Sequence, residues 1–367
     1  MGLTRDDAYK FGSGRYYQEQ GITARAGTEI KRFGSKALVV ASPRAFDSVK
    51  EKLIKGFEDA GLDYHIEIHP GQCCMEKAEE LVGIAKKENC DVIVGVGGGR
   101  IMDIAKLCAS LAKRPVVNIP TSIATCAAFA TLSVMYTPEG KTVGNFYHDY
   151  EVAAILVDTE TIVNAPVRYA VSGILDAMAK YIEIKNGSPE VDMSNFAIDR
   201  CTACVLAKHT YDTLMECMDR ACEDIRMHRV TKDVETVAFI NIAVTGVISG
   251  IARGLGQSAI GHEFYYAVRT HFTKEAIKFL HGEVVAVGLL MQLYYNQTPE
   301  LVDVFRSFMK KLEMPVCAAD LGIEPSEENY NKVFEYIMER VRTVSPFVDE
   351  NDPACMKRFR EGLKLLF

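Results

Sequence analysis

Much of what this 367-residue chain could have been is excluded by what it lacks. No uninterrupted apolar run approaches the length needed to cross a bilayer, the best being Val284 to Leu293, so no membrane span is expected. Met1 to Gly14 is polar and charged, which speaks against a signal peptide, and a cytoplasmic location is the expectation. There is no internal repeat, no low-complexity tract and no flexible linker. Positive charge is in deficit: 42 lysines and arginines stand against 49 aspartates and glutamates, a net charge of -7 that argues against nucleic acid as the main partner. Cysteines are present, 11 of them, but without the pattern of a disulfide framework: the number is odd and the chain is far larger than the secreted scaffolds that need one. Cys201 and Cys204 form a C-x-x-C inside a helical pattern with no second pair at zinc-site spacing, so they read as core residues and all the cysteines as reduced thiols. The strict dinucleotide fingerprint G-x-G-x-x-G is also missing, because Gly95 and Gly97 would require glycine or alanine where Arg100 stands.

What is present is an ordinary globular composition, 48% hydrophobic and 25% charged, on a length that suggests two domains. Around residues 91–109 a buried-strand pattern runs into Gly97, Gly98 and Gly99 and then into a helical face marked by Ile101, Ile104, Ala105 and Ala109. The amides of such a turn, with the positive end of the helix, suit a phosphate or pyrophosphate. Strand and helix alternate on either side. Strands are expected at Lys36 to Ser42, Tyr64 to Ile68, Pro115 to Ile119, Leu132 to Thr137 and Val152 to Asp158, with helices at Arg44 to Ala60 and Cys74 to Glu88. This alternation indicates a mainly parallel, Rossmann-like sheet covered on both faces, whose ligands sit at the carboxyl ends of its strands.

After Asp158 the strand pattern stops, Asn164-Ala165-Pro166 punctuate the chain, and nearly every later segment reads as helix. The expected division is therefore an α/β domain over 1–162 and an all-helical domain over 163–367. Three residues of the helical half carry chemistry: Asp176 in S-G-I-L-D-A-M-A-K, His262 in A-I-G-H-E-F and His281 in F-L-H-G-E-V-V-A-V-G. A carboxylate on an otherwise apolar helix needs a salt-bridge partner or a cation. Lys180, one turn on, is one explanation, and each histidine can be a satisfied, partly buried side chain. Two imidazoles and a carboxylate are also a reasonable shell for a divalent metal with positions left open.

The spacing G-G-G-R-x-x-D-x-A-K from Gly97 to Lys106 resembles the iron-containing alcohol dehydrogenase superfamily and its glycerol dehydrogenase-like branch. S-G-I-x-D-A, H-G-E-x-V-A-x-G, P-T-S-I-A-T-C-A-A from Pro120 to Ala128 and L-V-D-T-E-T-I-V-N-A-P from Leu156 to Pro166 continue the likeness, in order, over nearly the whole chain. The resemblance implies a dehydroquinate synthase-like architecture and a metal-dependent, NAD(P)-linked dehydrogenase acting on a small hydroxy compound or its carbonyl form. By that resemblance Asp176, His262 and His281 would hold one divalent metal, zinc or iron, acting as a Lewis acid. Gly97, Gly98, Gly99 and Asp103 would lie along the cofactor's phosphates and ribose, and Thr121, Ser122, Leu132 and Tyr136 would flank its adenosine and nicotinamide halves. A homo-oligomer is expected by analogy alone.

Departures from the family pattern bear on substrate and cofactor. Cys126 replaces the aspartate that lies beside the polyol in glycerol dehydrogenases, and Tyr265-Tyr266 replace a His-Asn pair. Losing that acceptor and its charge favours an anionic substrate, as in the hydroxycarboxylate dehydrogenase-like branch, which reduces 2-oxoacids. Arg253 or Arg269 is the candidate partner for its carboxylate, against a default of solvent exposure, and His271 is the nearest proton relay in sequence against the same default. Where NAD-preferring members place an acidic residue on the adenosine ribose, this chain reads Ser42-Pro43-Arg44, so NADPH is the expected cofactor. The alternatives are glycerol or a 1,2-diol with NAD, a dehydroquinate synthase-like lyase, and a nucleotide-binding protein without turnover.

Overall fold

The computed structural model describes residues 8–252, 259–344 and 347–367. The described residues fall into two compact units, Met1–Ala170 with Glu216–Gly250, and Val171–Met215 with Ile251–Phe367.

The first unit carries β1 (Tyr16–Glu19), β2 (Lys36–Ala41), β3 (Asp63–Ile68), β4 (Val92–Gly97), β5 (Val116–Pro120), β6 (Leu132–Tyr136), β7 (Thr142–Tyr147) and β8 (Ala154–Asp158). Six of them form one sheet in the order β1-β8-β5-β4-β2-β3, parallel throughout. β2, β4 and β8 are apolar and almost wholly buried, as strands covered on both faces must be. Beneath them Leu53 and Phe57 from the helix Pro43–Ala60 pack with Val39, Val94 and Leu156. The register sets Ala41 beside Val96 and Gly97 beside Pro120, so β2, β4 and β5 end together at the glycine turn.

Two features differ from the sequence expectation. β6 lies outside the main sheet, in an antiparallel pair with β7, which the sequence reading omitted along with the short polar edge strand β1. The helical stretch Glu216–Gly250, read from the sequence with the helical half, makes its contacts within the first unit. Side chains explain this attachment. Asn241 Nδ2 donates to Ile123 O (3.0 Å) and Ala170 O (3.3 Å), Gln18 Nε2 donates to Glu235 O (2.8 Å), and Phe239 meets the Tyr16 ring edge-on at 5.4 Å. Lys232–Ala252 is, by length and composition, apolar enough to cross a bilayer, unlike any single run read from the sequence, but 56% of its apolar window is buried, as in a core helix.

The second unit is helical. Ile260–His271 packs against His281–Tyr295 and Glu327–Thr343, and His281–Tyr295 also against Pro353–Lys364. Backbones come very close here: a Cβ at Gly288 would stand 2.7 Å from Gly261 O, and one at Gly282 would stand 2.0 Å from Ser172 O. Glycine at these two positions is what allows the helices bearing Asp176, His262 and His281 to meet.

None of the 11 cysteines is in a disulfide. Cys204 is buried and Cys201 half-buried on the helix Ile198–Arg226.

Candidate metal centre

Asp176 projects from the helix Val167–Ile184, His262 from the first turn of Ile260–His271 and His281 from the first residue of His281–Tyr295. One ligand atom from each lies within 4.8 Å of the other two. Asp176 Oδ1 is 3.6 Å from His262 Nε2 and 3.5 Å from His281 Nε2. Donors about 2.1 Å from a tetrahedral ion stand about 3.4 Å apart, so these spans suit a shared cation better than direct hydrogen bonds. Asp176 Oδ1 is buried and has no hydrogen-bond partner among the described residues, a costly arrangement for a carboxylate oxygen unless a cation meets it. The donor set therefore fits a divalent metal.

Glu183 completes the arrangement. Its Oε2 is 2.6 Å from His262 Nδ1, and its Oε1 accepts from the amides of Ala259 (3.0 Å) and His262 (2.8 Å). With Nδ1 committed as a donor, the lone pair of Nε2 faces Asp176, the tautomer that a metal ligand requires. Burial opposes charging of His262, but the charge of Glu183, the nearby Asp176 carboxylate and the hydrogen bond to Glu183 prevail, and in the absence of a metal its pKa is raised to about 9. Burial would likewise raise Asp176, yet His262 and His281 beside it hold its carboxyl well below the usual range. The Tyr265 ring stands edge-on to His281, centroids 4.3 Å apart. Sequence reasoning missed Glu183, although its position seven residues after Asp176 puts both on one helical face.

Lys180 does not pair with Asp176; no ion pair or hydrogen bond engages it among the described residues. Arg269 is buried, not exposed. His271 is exposed at the far end of its helix, its ring 5.8 Å from that of Tyr336, and nine residues place it about 13 Å along the axis from His262. It does not join the cluster. Arg253 lies outside the described residues.

In the first unit Gly98 caps the helix Gly99–Ala112 with its backbone. A Cβ at Gly97 would press on Ile101 Cγ1 at 2.9 Å, one at Gly98 on Ser122 Oγ at 3.3 Å, and one at Gly99 on Thr125 Oγ1 at 3.1 Å. The turn thus has no side chains of its own and is walled by the segment after β5. Thr121 holds it there, its amide donating to Gly97 O at 3.0 Å, while Ser42 does the same from β2 through Val96 O at 3.3 Å. Arg44 is exposed just beyond. Cys126 opens a short turn directly after Thr125 and is half-buried. Asp103 is buried, paired with Lys106 at 3.1 Å and accepting from Val134 N at 3.3 Å. Lys106 in turn donates to Ala130 O and Leu132 O, so this pair fastens the helix to β6. Leu132 and Tyr136 lie along that strand, half-buried.

A parallel α/β unit with a bare glycine turn at its carboxyl edge, and a helical unit that gathers one carboxylate and two imidazoles, define a metal-dependent oxidoreductase of the dinucleotide-linked class. Residues 13–159 match the iron-containing alcohol dehydrogenase family. The chain is 31% identical over 355 residues to the glycerol dehydrogenase of Thermotoga maritima, covering 96% of this chain and 94% of that protein. It is 26% identical over 311 residues to hydroxycarboxylate dehydrogenase A of Escherichia coli, 84% of each being covered. The crystal structure of a probable glycerol dehydrogenase from Sinorhizobium meliloti 1021 shares the fold, with a TM-score of 0.81 at 23% identity and 98% of both chains covered. This chain belongs to the iron-containing alcohol dehydrogenase family. It is a metal-dependent alcohol dehydrogenase-class enzyme acting on small molecules, which sets aside the lyase and non-catalytic readings.

Proposed function

We propose that this enzyme interconverts a small 2-oxoacid and its 2-hydroxyacid with NADPH as the preferred cofactor, the first unit binding the dinucleotide and the second the metal and substrate. The observation that carries the substrate class is Cys126, a neutral thiol where the glycerol dehydrogenase-like pattern has an aspartate. A pocket without that carboxylate neither accepts a polyol hydroxyl there nor repels an anion. The similarity to hydroxycarboxylate dehydrogenase A is in keeping with this. For the cofactor, Ser42-Pro43-Arg44 offers no acidic partner for a ribose 2′-hydroxyl and an exposed guanidinium for a 2′-phosphate.

When bound, the metal polarises the substrate oxygen and the nicotinamide exchanges hydride. The chain's own residues position both. Asp176, His262 and His281 supply the ligands, suited to zinc or iron alike, and Glu183 fixes the orientation of His262. The turn at Gly97, Gly98 and Gly99 presents backbone amides and a helix N-terminus to the pyrophosphate, with Thr121 and Ser122 as its wall.

Screening 2-oxoacids, diols and aldehydes with NADPH and NADH, on zinc- and iron-loaded protein, tests this reading. Reduction of 2-oxoacids with kcat/KM at least about tenfold higher for NADPH is expected. A second reading, oxidation of glycerol or a 1,2-diol with NAD, is favoured by the similarity to glycerol dehydrogenases. Glycerol turnover with NAD and none of 2-oxoacids would establish it instead.

A further inference from the structure

Lys180 has no role in the arrangement described so far. It lies one helical turn after Asp176, on the same face of Val167–Ile184, and is only 8% exposed. A buried ammonium without a counter-charge is costly, and the other buried lysine among the described residues, Lys106, is compensated by Asp103 at 3.1 Å. Lys180 has no such partner among the described residues.

The charge count indicates what is missing. Of the buried charges on the three helices of the cluster, Asp176, Glu183 and Glu283 are negative and Lys180 and Arg269 positive, with Glu263 paired to Arg340; a divalent metal brings the sum to one positive. One uncompensated positive charge remains, and Lys180 stands one helical turn from Asp176 of the candidate metal site. A neutral polyol leaves that imbalance in place; a monoanion removes it.

We propose that Lys180 is a specificity-determining residue whose ammonium receives the anionic group of the substrate, a carboxylate adjacent to the reacting carbonyl. The choice of a carboxylate rests on the 2-oxoacid reading above; the anion-receiving role rests on burial, position and charge alone.

The test uses full-length, zinc-loaded protein saturated with NADP and titrated calorimetrically with oxamate, which carries a carboxylate beside an amide carbonyl and is not reduced. Wild-type protein should bind oxamate, Lys180→Gln and Lys180→Met should bind it at least about tenfold more weakly, and Lys180→Arg should stay within about threefold. Zinc content should be unchanged in all. Wild-type protein that does not bind oxamate, or neutral variants that bind it equally well, would overturn the proposal. Loss of zinc from both neutral variants would also overturn it, because the lysine would then be a support of the metal site. Oxamate binding that depends on Lys180, without reduction of any 2-oxoacid, would leave this inference standing and defeat the substrate reading. Reduction of 2-oxoacids with unchanged KM in Lys180→Gln would do the reverse.

Discussion

Glu183 illustrates at residue scale how a side chain outside the ligand cluster can set up a candidate metal ligand. Its two oxygens are divided between the His262 ring and the amides of Ala259 and His262, so the imidazole is fixed in both tautomer and orientation. Glu183→Gln keeps the shape and removes the charge; zinc affinity, measured against a competing chelator, is expected to fall about 10- to 100-fold with the fold intact. On the proposed cofactor reading, Arg44 is the corresponding candidate for the 2′-phosphate. Arg44→Asp should reverse the preference, raising KM for NADPH by about tenfold or more while leaving NADH turnover close to wild type, as steady-state kinetics with each cofactor would show. The sequence suggested the three candidate ligands through their motifs, since local strings such as H-G-E and S-G-I-L-D carry the signal. It did not disclose Glu183 or Lys180, because a partner for a ligand is defined by what faces it in space. For the same reason Arg269 looked exposed in the sequence and is buried in the fold.

At the scale of elements, the strands buried on both faces were legible because their apolar runs are continuous. β1 was not: Tyr16-Tyr17-Gln18-Glu19 has no apolar pattern and is defined only by pairing with β8, more than a hundred residues away. β7 was obscured by Gly144 within it, at a φ of 144°. The junction before β4 rests on Asp91, whose carboxylate accepts from the amides of Ser35 and Lys36 at 2.9 Å and from Ser35 Oγ at 2.8 Å. Burial would raise its pKa, but these hydrogen bonds prevail and lower it. A lowered folded-state value stabilises the fold at pH values above the ordinary carboxylate range, and that contribution is lost as pH falls through the folded pKa. Asp91→Ala should therefore cost about 1–3 kcal/mol at neutral pH, with the difference from wild type shrinking below about pH 4, in urea melts across that range. In the helical unit, a methyl at Gly282 would collide with Ser172 O. Gly282→Ala is expected to destabilise that unit by about 1–3 kcal/mol and, by displacing the adjacent His281, to weaken zinc binding; thermal melts with and without zinc would read both.

At the scale of the whole molecule, the family and fold were legible from ordered motifs spread along the chain, whereas the path of the chain between its two units was not. Glu216–Gly250 reads locally as more helix, and only contacts such as Asn241 to Ile123 assign it to the sheet unit. The three candidate metal ligands and the glutamate beside them all come from the other unit, on three of its helices. Binding to the folded form alone should stabilise it, so saturating zinc at about 100 times its Kd is expected to add about 2.7 kcal/mol to the unfolding free energy of that unit. The most direct measurement is the metal content of purified protein after equilibration with zinc and desalting, wild type beside Asp176→Ala. One equivalent of zinc is expected in the wild type and almost none in the folded variant; a full equivalent in Asp176→Ala, or none in the wild type, would contradict a metal site at Asp176, His262 and His281.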